Sequence, residues 1–310
     1  MLTRKTVVLA KIEANYGVDP VPTVGADALL VKDVDIKPTG ETLTRDYIRS
    51  SLSPLQFLRG IREVEVGFTT ELKGTGARGA LPAFGWEGPL FRACGFSEVV
   101  NAGVSIVYAP VSASFESCTL YVYKDGIFHK VTGCRGTCVM TFEIGKFPTV
   151  KWTFKGIYVS PADSSPAAQT FSDVEPPVIL GTVLTVGGYG PCVEKLEISL
   201  NNNLAPRKCM SAASGITEWL ITGRDPNGSF DPEAVLEATE DFWAKWESAE
   251  AFALALGPIG SDAGNIIEVD APAMQYKEIA YGDRNGLLTY QIPFGLAMNT
   301  GDDELQITIT

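Results

Sequence analysis

The amino-acid sequence predicts a mainly β protein in which two tandem copies of one fold, each with one helical segment, follow one another. Three observations point that way. Short alternating runs recur throughout, bounded by glycine, asparagine and proline turns. A Ser-, Pro- and Asp-rich stretch, Ser160 to Ala168, closed by Pro176-Pro177, divides the chain near its middle. Both sides of that divide then show one order of events: strand, polar stretch, strand, helical segment, antiparallel meander. With 310 residues, 45% of them apolar, the chain has material for two cores, so 1–160 and 178–310 are read as domains and 161–177 as their linker.

On the first side, Leu29 to Lys37 and Ile61 to Leu72 alternate as half-buried strands do, with a polar stretch from Pro38 to about Gly60 between them. The segment Leu81 to Gly95 is broken by Gly85, Gly88 and Pro89, so only short helical turns are expected there. Strands follow at Cys118 to Tyr123, Phe128 to Val131, Thr137 to Glu143 and Val150 to Tyr158, with turns at Asp125-Gly126, Gly133 to Gly136 and Gly145 to Pro148. The second side matches with Val193 to Leu200, a polar stretch Asn201 to Ser214, and Ile216 to Gly223. A helix is expected over Asp231 to Ala249, because Asp231 can cap, Pro232 suits the first turn, and Val235, Leu236, Phe242, Trp243 and Trp246 make an apolar stripe. Ala251 to Leu256, Ile266 to Asp270, Met274 to Tyr281, Leu287 to Pro293 and Glu304 to Ile309 complete the meander, with Asn285-Gly286 as a turn.

Charge is unevenly divided. Residues 1–160 hold 18 Lys+Arg against 15 Asp+Glu, a net of +3, and residues 161–310 hold 7 against 22, a net of −15. That balance excludes general nucleic-acid affinity, which needs a basic face. It suits a contact between the first half of one copy and the second half of another. The opening MLTRKTVVLA is too short an apolar run for an export signal or a membrane span, so a soluble protein made in the cytoplasm is expected, its six cysteines free.

Motifs for catalysis are weak. Gly74-Thr75-Gly76-Ala77-Arg78-Gly79 fits a dinucleotide fingerprint, but neither its alternating strand nor the broken segment after it fits a βαβ unit; a flexible connection is the better reading. The one histidine, His129, sits on a hairpin strand with no serine elbow to use it. Cys134 and Cys138 bracket a turn at a spacing unlike a redox or zinc pair. Glu233, Glu237, Glu240 and Asp241 lie in the densest acidic cluster, on the polar side of the expected helix, and read as a solvated face or one meeting another subunit. No catalytic residue, cofactor or metal site is expected, and the protein is read as not an enzyme. The stretch 38–60 is different, because Tyr47, Ile48, Leu52, Leu55, Phe57 and Leu58 are too many large apolar groups for a solvated loop; contact with another chain is expected.

The series Lys11-Ile12-Glu13-Ala14-Asn15-Tyr16-Gly17 with Asp19-Pro20, the Ala28 to Pro38 strand, Leu72-Lys73-Gly74-Thr75-Gly76, Leu90 to Phe96, Tyr108 to Ser112, the Asp125-Gly126 hairpin with Gly133 to Gly136, and Phe154 to Tyr158 resembles major tail tube proteins of long non-contractile-tailed bacteriophages. The resemblance implies two tandem copies of a tail-tube-type β-sandwich or barrel domain in a virion subunit that assembles into stacked rings around a channel for the genome. A chain with two copies would close such a ring as a homotrimer with pseudo-sixfold symmetry in preference to a homohexamer. Tape measure, tail terminator and distal tail proteins would be partners, and genomic DNA would pass without specific binding. Tyr47, Phe57, Leu58 and Arg59 then become candidates for contact between successive rings, and Glu233, Glu237, Glu240 and Asp241 for an acidic lateral or lumen face. Two other readings remain: a two-domain carbohydrate- or host-binding β module using the tryptophans, and a ring protein of a contractile tail or secretion tube.

Overall fold

A computed structural model describes residue 2, residues 4–83 and residues 85–310. The first half contains β1 (Thr6–Ile12), β2 (Ala28–Leu29), β3 (Lys32–Leu43), β4 (Leu58–Glu71), α1 (Gly88–Ala93), β5 (Phe96–Asn101), β6 (Ser105–Pro110), β7 (Cys118–Lys124), β8 (Ile127–Glu143), β9 (Thr149–Tyr158) and β10 (Ala162–Asp163). The second contains β11 (Leu184–Val186), β12 (Lys195–Ser199), β13 (Asn202–Lys208), β14 (Ile216–Arg224), β15 (Asn227–Phe230), α2 (Phe242–Glu247), β16 (Phe252–Ile259), β17 (Ile267–Tyr276), β18 (Ala280–Arg284), β19 (Leu287–Leu296) and β20 (Gln306–Ile309). The expected mainly β class is therefore the observed one, with one short helix in each half.

Strand pairing repeats. In the first half the antiparallel order is β1–β7–β8–β9–β4–β3. In the second it is β11–β16–β17–β19–β15–β12, the same positions in the same chain order. The halves are also joined. The C-terminal part of β8 pairs with β12, Met140 opposite Ile198, and β6 pairs with β20, Tyr108 opposite Ile307. One buried apolar cluster accordingly runs from Val8 and Trp152 through Ile198 to Phe294 and Ile309.

The short helices fill the core because each carries a few large apolar groups. In α1, Leu90, Phe91 and Ala93 are buried, and the Phe91 ring lies 4.9 Å from Trp152 and 5.0 Å from Tyr108. The helix expected over Asp231 to Ala249 shrinks to α2. Its first residues instead continue β15 beside β19, Tyr290 N–H donating to the Pro232 carbonyl at 2.8 Å and Ala234 N–H to that of Leu288 at 2.9 Å. An open strand edge outcompetes an amphipathic pattern because each extended residue gains a partner for its backbone polar groups. Only after Asp241, whose carboxylate accepts from Ala244 N–H at 2.8 Å, does the chain become helical.

Three other expectations change. The glycines at 133–136 form no turn: β8 runs 17 residues through them. They make a bulge against β9, between Thr132 and Arg135, with Gly133 at φ 61°. A Cβ at Gly133 would stand 2.6 Å from Tyr16 Cζ, and one at Gly136 2.5 Å from Phe154 Cδ1, so these positions are small to let rings lie on the backbone. The polar stretch 201–214 contains β13, and the first-half stretch shortens to 44–57 because β3 and β4 extend into it.

Glu87, just before α1, is buried with Oε2 lacking a hydrogen-bond partner among the described residues. Burial pushes its carboxyl up to about 8 from 4.5, against the opposing effects of a backbone N–H and of Lys73. Its folded value exceeds its unfolded one, so the stability it lends is full below about pH 4.5 and is lost as pH rises toward 8. Glu87→Gln, which stays neutral, is therefore expected to melt with wild type at pH 4.5 and above it at pH 8; an equal offset at both would show that Glu87 does not titrate in this window.

Candidate functional site

The surfaces that matter begin with a junction between the halves. Arg135 leaves the β8 bulge with its side chain only 7% exposed. Its Nη1 donates to Glu218 Oε1 at 3.0 Å and to the Trp219 carbonyl at 2.6 Å, while Nη2 and Nε reach the carbonyls of Phe115 and Glu116 at 2.9 and 3.2 Å. Its guanidinium also lies 4.9 Å from the Tyr16 ring. Tyr16 donates to the Gly133 carbonyl at 2.8 Å and accepts from Trp219 N–H at 2.7 Å; burial holds its phenol well above the ordinary value. Trp219, buried, donates from Nε1 to the Gly156 carbonyl at 3.2 Å and stacks under Lys155 Nζ at 5.2 Å. A first-half cation thus meets a second-half carboxylate inside one chain. Arg135 drew no notice in the sequence, where it sits in an apparent turn, and Trp219 stood out there only as one of the tryptophans that could form a sugar platform.

The loop Gly74 to Gly79 is a second junction. Gly74 N–H donates to Asn265 Oδ1 at 2.6 Å and Gly76 N–H to the Gly264 carbonyl at 3.1 Å. A Cβ on Gly74 would fall 2.0 Å from the Gly264 oxygen. The glycines therefore serve close backbone approach, neither a phosphate cradle nor the flexible connection expected. Among the described residues no group of three or more His, Cys, Asp or Glu side chains could hold a metal ion, and no helix is long and apolar enough to cross a membrane.

The arm formed by β3, β4 and residues 44–57 presents its apolar groups to solvent. Tyr47, Ile48, Leu52, Phe57 and Leu58 are all exposed, Ile48 and Leu52 completely. Arg59 braces the base, donating to the Gly40 carbonyl and Thr42 Oγ1 at 3.2 and 3.0 Å, with its guanidinium 5.0 Å over the Phe57 ring. Phe57, Leu58 and Arg59 thus share the base, and Tyr47 lies further along the loop. The equivalent hairpin of the second half, β13–β14, behaves differently. Its Ile216, Trp219 and Ile221 are buried.

The four acidic candidates are dispersed. Glu233 lies on extended backbone bridged to Thr289, and with Asp231 and Glu194 it surrounds Arg284 at 3.7, 2.8 and 3.1 Å. Glu240 is paired with Lys245, and Asp241 is the α2 cap. Glu237 is exposed, without an ion-pair partner among the described residues.

Several sheet edges have no strand beside them among the described residues, and two of them border the repeated pairing scheme. One is the side of β3 away from β4, and the other is the side of β18 away from β19. Sequence reasoning missed both, because an edge is defined by what fails to pair with it. Trp86, Trp152 and Trp219, which could have been sugar platforms, are core residues.

These features define a class: a mainly β protein with two short helices, an exposed apolar arm and open strand edges. A family model described as phage tail tube protein matches residues 3–296, across both halves, and the chain belongs to that family; it is a structural component of the phage virion. A search of curated proteins found no match.

Replacing Arg135 by Met is expected to lower stability by about 3 kcal/mol or more, since buried partners are left uncompensated. Chemical denaturation monitored by tryptophan fluorescence measures it, and a loss below about 1 kcal/mol would show the junction to be incidental.

Proposed function

We propose that the chain is a major tail tube subunit that closes rings as a homotrimer with pseudo-sixfold symmetry, the rings stacking into the tube through which the genome passes. The observation that carries this reading is the repeated six-strand pairing order, with the first half joined to the second through β8 and β12. A chain that already contains two ring positions needs three copies where a single-domain subunit needs six, because a heterologous contact that closes makes a ring. Tape measure, tail terminator and distal tail proteins are the partners this role implies.

Charge supports the arrangement. First and second halves alternate around such a ring, so every lateral contact places a half of net +3 beside one of net −15. The Arg135–Glu218 pair is an instance within the chain. Excess acid of the second half that faces the channel would repel phosphate and keep DNA sliding. Stacking falls to the arm, with Tyr47, Phe57, Leu58 and Arg59 against the next ring; the β13–β14 hairpin, which packs Ile216, Trp219 and Ile221 inward, gives the second half a smaller apolar projection, so the stacking contacts are uneven around the ring.

The double variant Phe57→Asp, Leu58→Asp tests this. Both side chains are already exposed, so the body should fold, and negative-stain microscopy should show single rings where wild type gives tubes. Tubes of normal length from the variant would remove the arm from the stacking contact, and wild-type protein that forms neither rings nor tubes would overturn the ring reading.

A further inference from the structure

We propose that the four buried cysteines of the first half are a covalent modification site, in which dissolved oxygen joins Cys118 to Cys134 and Cys94 to Cys138 once the protein has left the reducing cytoplasm. This holds whatever the shape of the assembly, since a virion component ends outside the cell, where disulfides persist.

All six cysteines are free thiols. Cys192 and Cys209, in the second half, are exposed, whereas Cys94, Cys118, Cys134 and Cys138 are buried in the apolar cluster that joins the halves. The fold sorts these four into pairs. Cys118, at the start of β7, stands directly opposite Cys134 on β8. Opposed residues of an antiparallel pair have Cα atoms about 4.5–5.5 Å apart, inside the roughly 4.4–6.8 Å that a disulfide spans. A Cβ on Gly156 would stand 2.9 Å from Cys134 Sγ, which places that sulfur on the core side of β9. Beyond the bulge, β8 alternates strictly, with Gly136, Cys138, Met140 and Phe142 inward, so Cys138 faces the same core. Cys94 reaches it from the end of α1. Asn202 Nδ2 donates to the carbonyls of Cys94 and Gly136 at 2.6 and 2.9 Å, and one amide thereby ties the α1 C-cap to the β8 residue two before Cys138.

The electrostatics of the thiols agree with that pairing. Burial first, and then a hydrogen bond with the partner sulfur, hold the Cys94 and Cys134 thiols well above the ordinary value, the partner being Cys138 for Cys94 and Cys118 for Cys134. The Cys134 thiol also donates to the Val131 carbonyl at 3.4 Å, an interaction that oxidation exchanges for the S–S bond. In each pair the two thiols give up two protons and two electrons and form one S–S bond, while one dioxygen takes up both and becomes hydrogen peroxide. Dioxygen is small and uncharged, so it enters a core closed to glutathione. Thiolate is the reactive form and burial suppresses it, so the bonds form slowly, after the core is complete. Cys118–Cys134 then staples the β7–β8 hairpin, and Cys94–Cys138 fastens α1 to β8 beyond the glycines. The two bonds hold both flanks of the bulge that carries β8 from β7 to β12.

The test keeps the full chain in air-saturated buffer for several days, beside a sample held under reductant, then unfolds both in the presence of iodoacetamide and maps the peptides by mass spectrometry. The aerated sample is expected to show peptides linked through Cys118–Cys134 and through Cys94–Cys138, with Cys192 and Cys209 as the sites that remain open to alkylation, and to melt roughly 5 °C or more above the reduced sample. The Cys192→Ser, Cys209→Ser variant, which removes links between molecules, should give the same two internal bonds. Cys134→Ser should lose the first bond, keep the second and lose part of the gain in melting temperature. If that variant does not fold, the peptide map of the unmodified chain decides alone. Four core thiols still fully alkylated after aeration, or links that join them in any other combination, would overturn the assignment.

Discussion

The architecture depends on one long strand. β8 must satisfy hydrogen-bonding groups on both sides over 17 residues, and it does so by changing partner along one edge, from β7 to β12, while β9 follows the other. The bulge at Gly133 to Gly136 makes that change possible, because it bends the strand without ending it. Had those residues formed the turn their composition suggests, β12 would have no edge to join, and the backbone junctions between the halves would be reduced to β6 with β20 and the Gly74 loop.

Around the bulge the structure gathers the polar groups that the bend leaves unpaired. Glu13 takes hydrogen bonds from Gly133 N–H, Ser117 Oγ, Thr119 Oγ1 and Gly17 N–H, all between 2.6 and 2.7 Å. Arg135 gathers carbonyls on the other side. Buried ions of this kind gain little net free energy over apolar packing, but losing one partner is costly, so they fix one relative placement of the halves. The same centre links the β13–β14 hairpin to the first half through Trp219, which is why that hairpin lies packed while the β3–β4 arm stands free.

Much of this was legible in the chain itself. Alternation located β3, β4, β7, β9, β12, β14, β16, β19 and β20 and parts of β8 and β17, but not β1, β2, β5, β6, β11, β13 or β15, and Asp125-Gly126 and Asn285-Gly286 marked hairpins. What failed did so for tertiary reasons. Residues 231–234 have a helical start signal but neighbour an unpaired stretch of β19, and the edge prevails. Gly74 looks like a loop residue because its contact, Gly264, is distant in sequence. The exposure of the arm could be inferred from too many large apolar groups in a polar stretch; the open edges could not, since exposure of a backbone edge has no residue signature.

The pairing of β8 with β12 has a kinetic meaning. Because the two strands belong to one chain, they meet at the effective concentration set by the chain between Glu143 and Lys195 and form as the protein folds, at a rate independent of how much subunit the cell has made. In the ring of three proposed above, alternate seams would be of this kind. Only the remaining seams wait on encounters between molecules, so an assembly of six similar units needs the collision order, and the translational entropy loss, of an assembly of three.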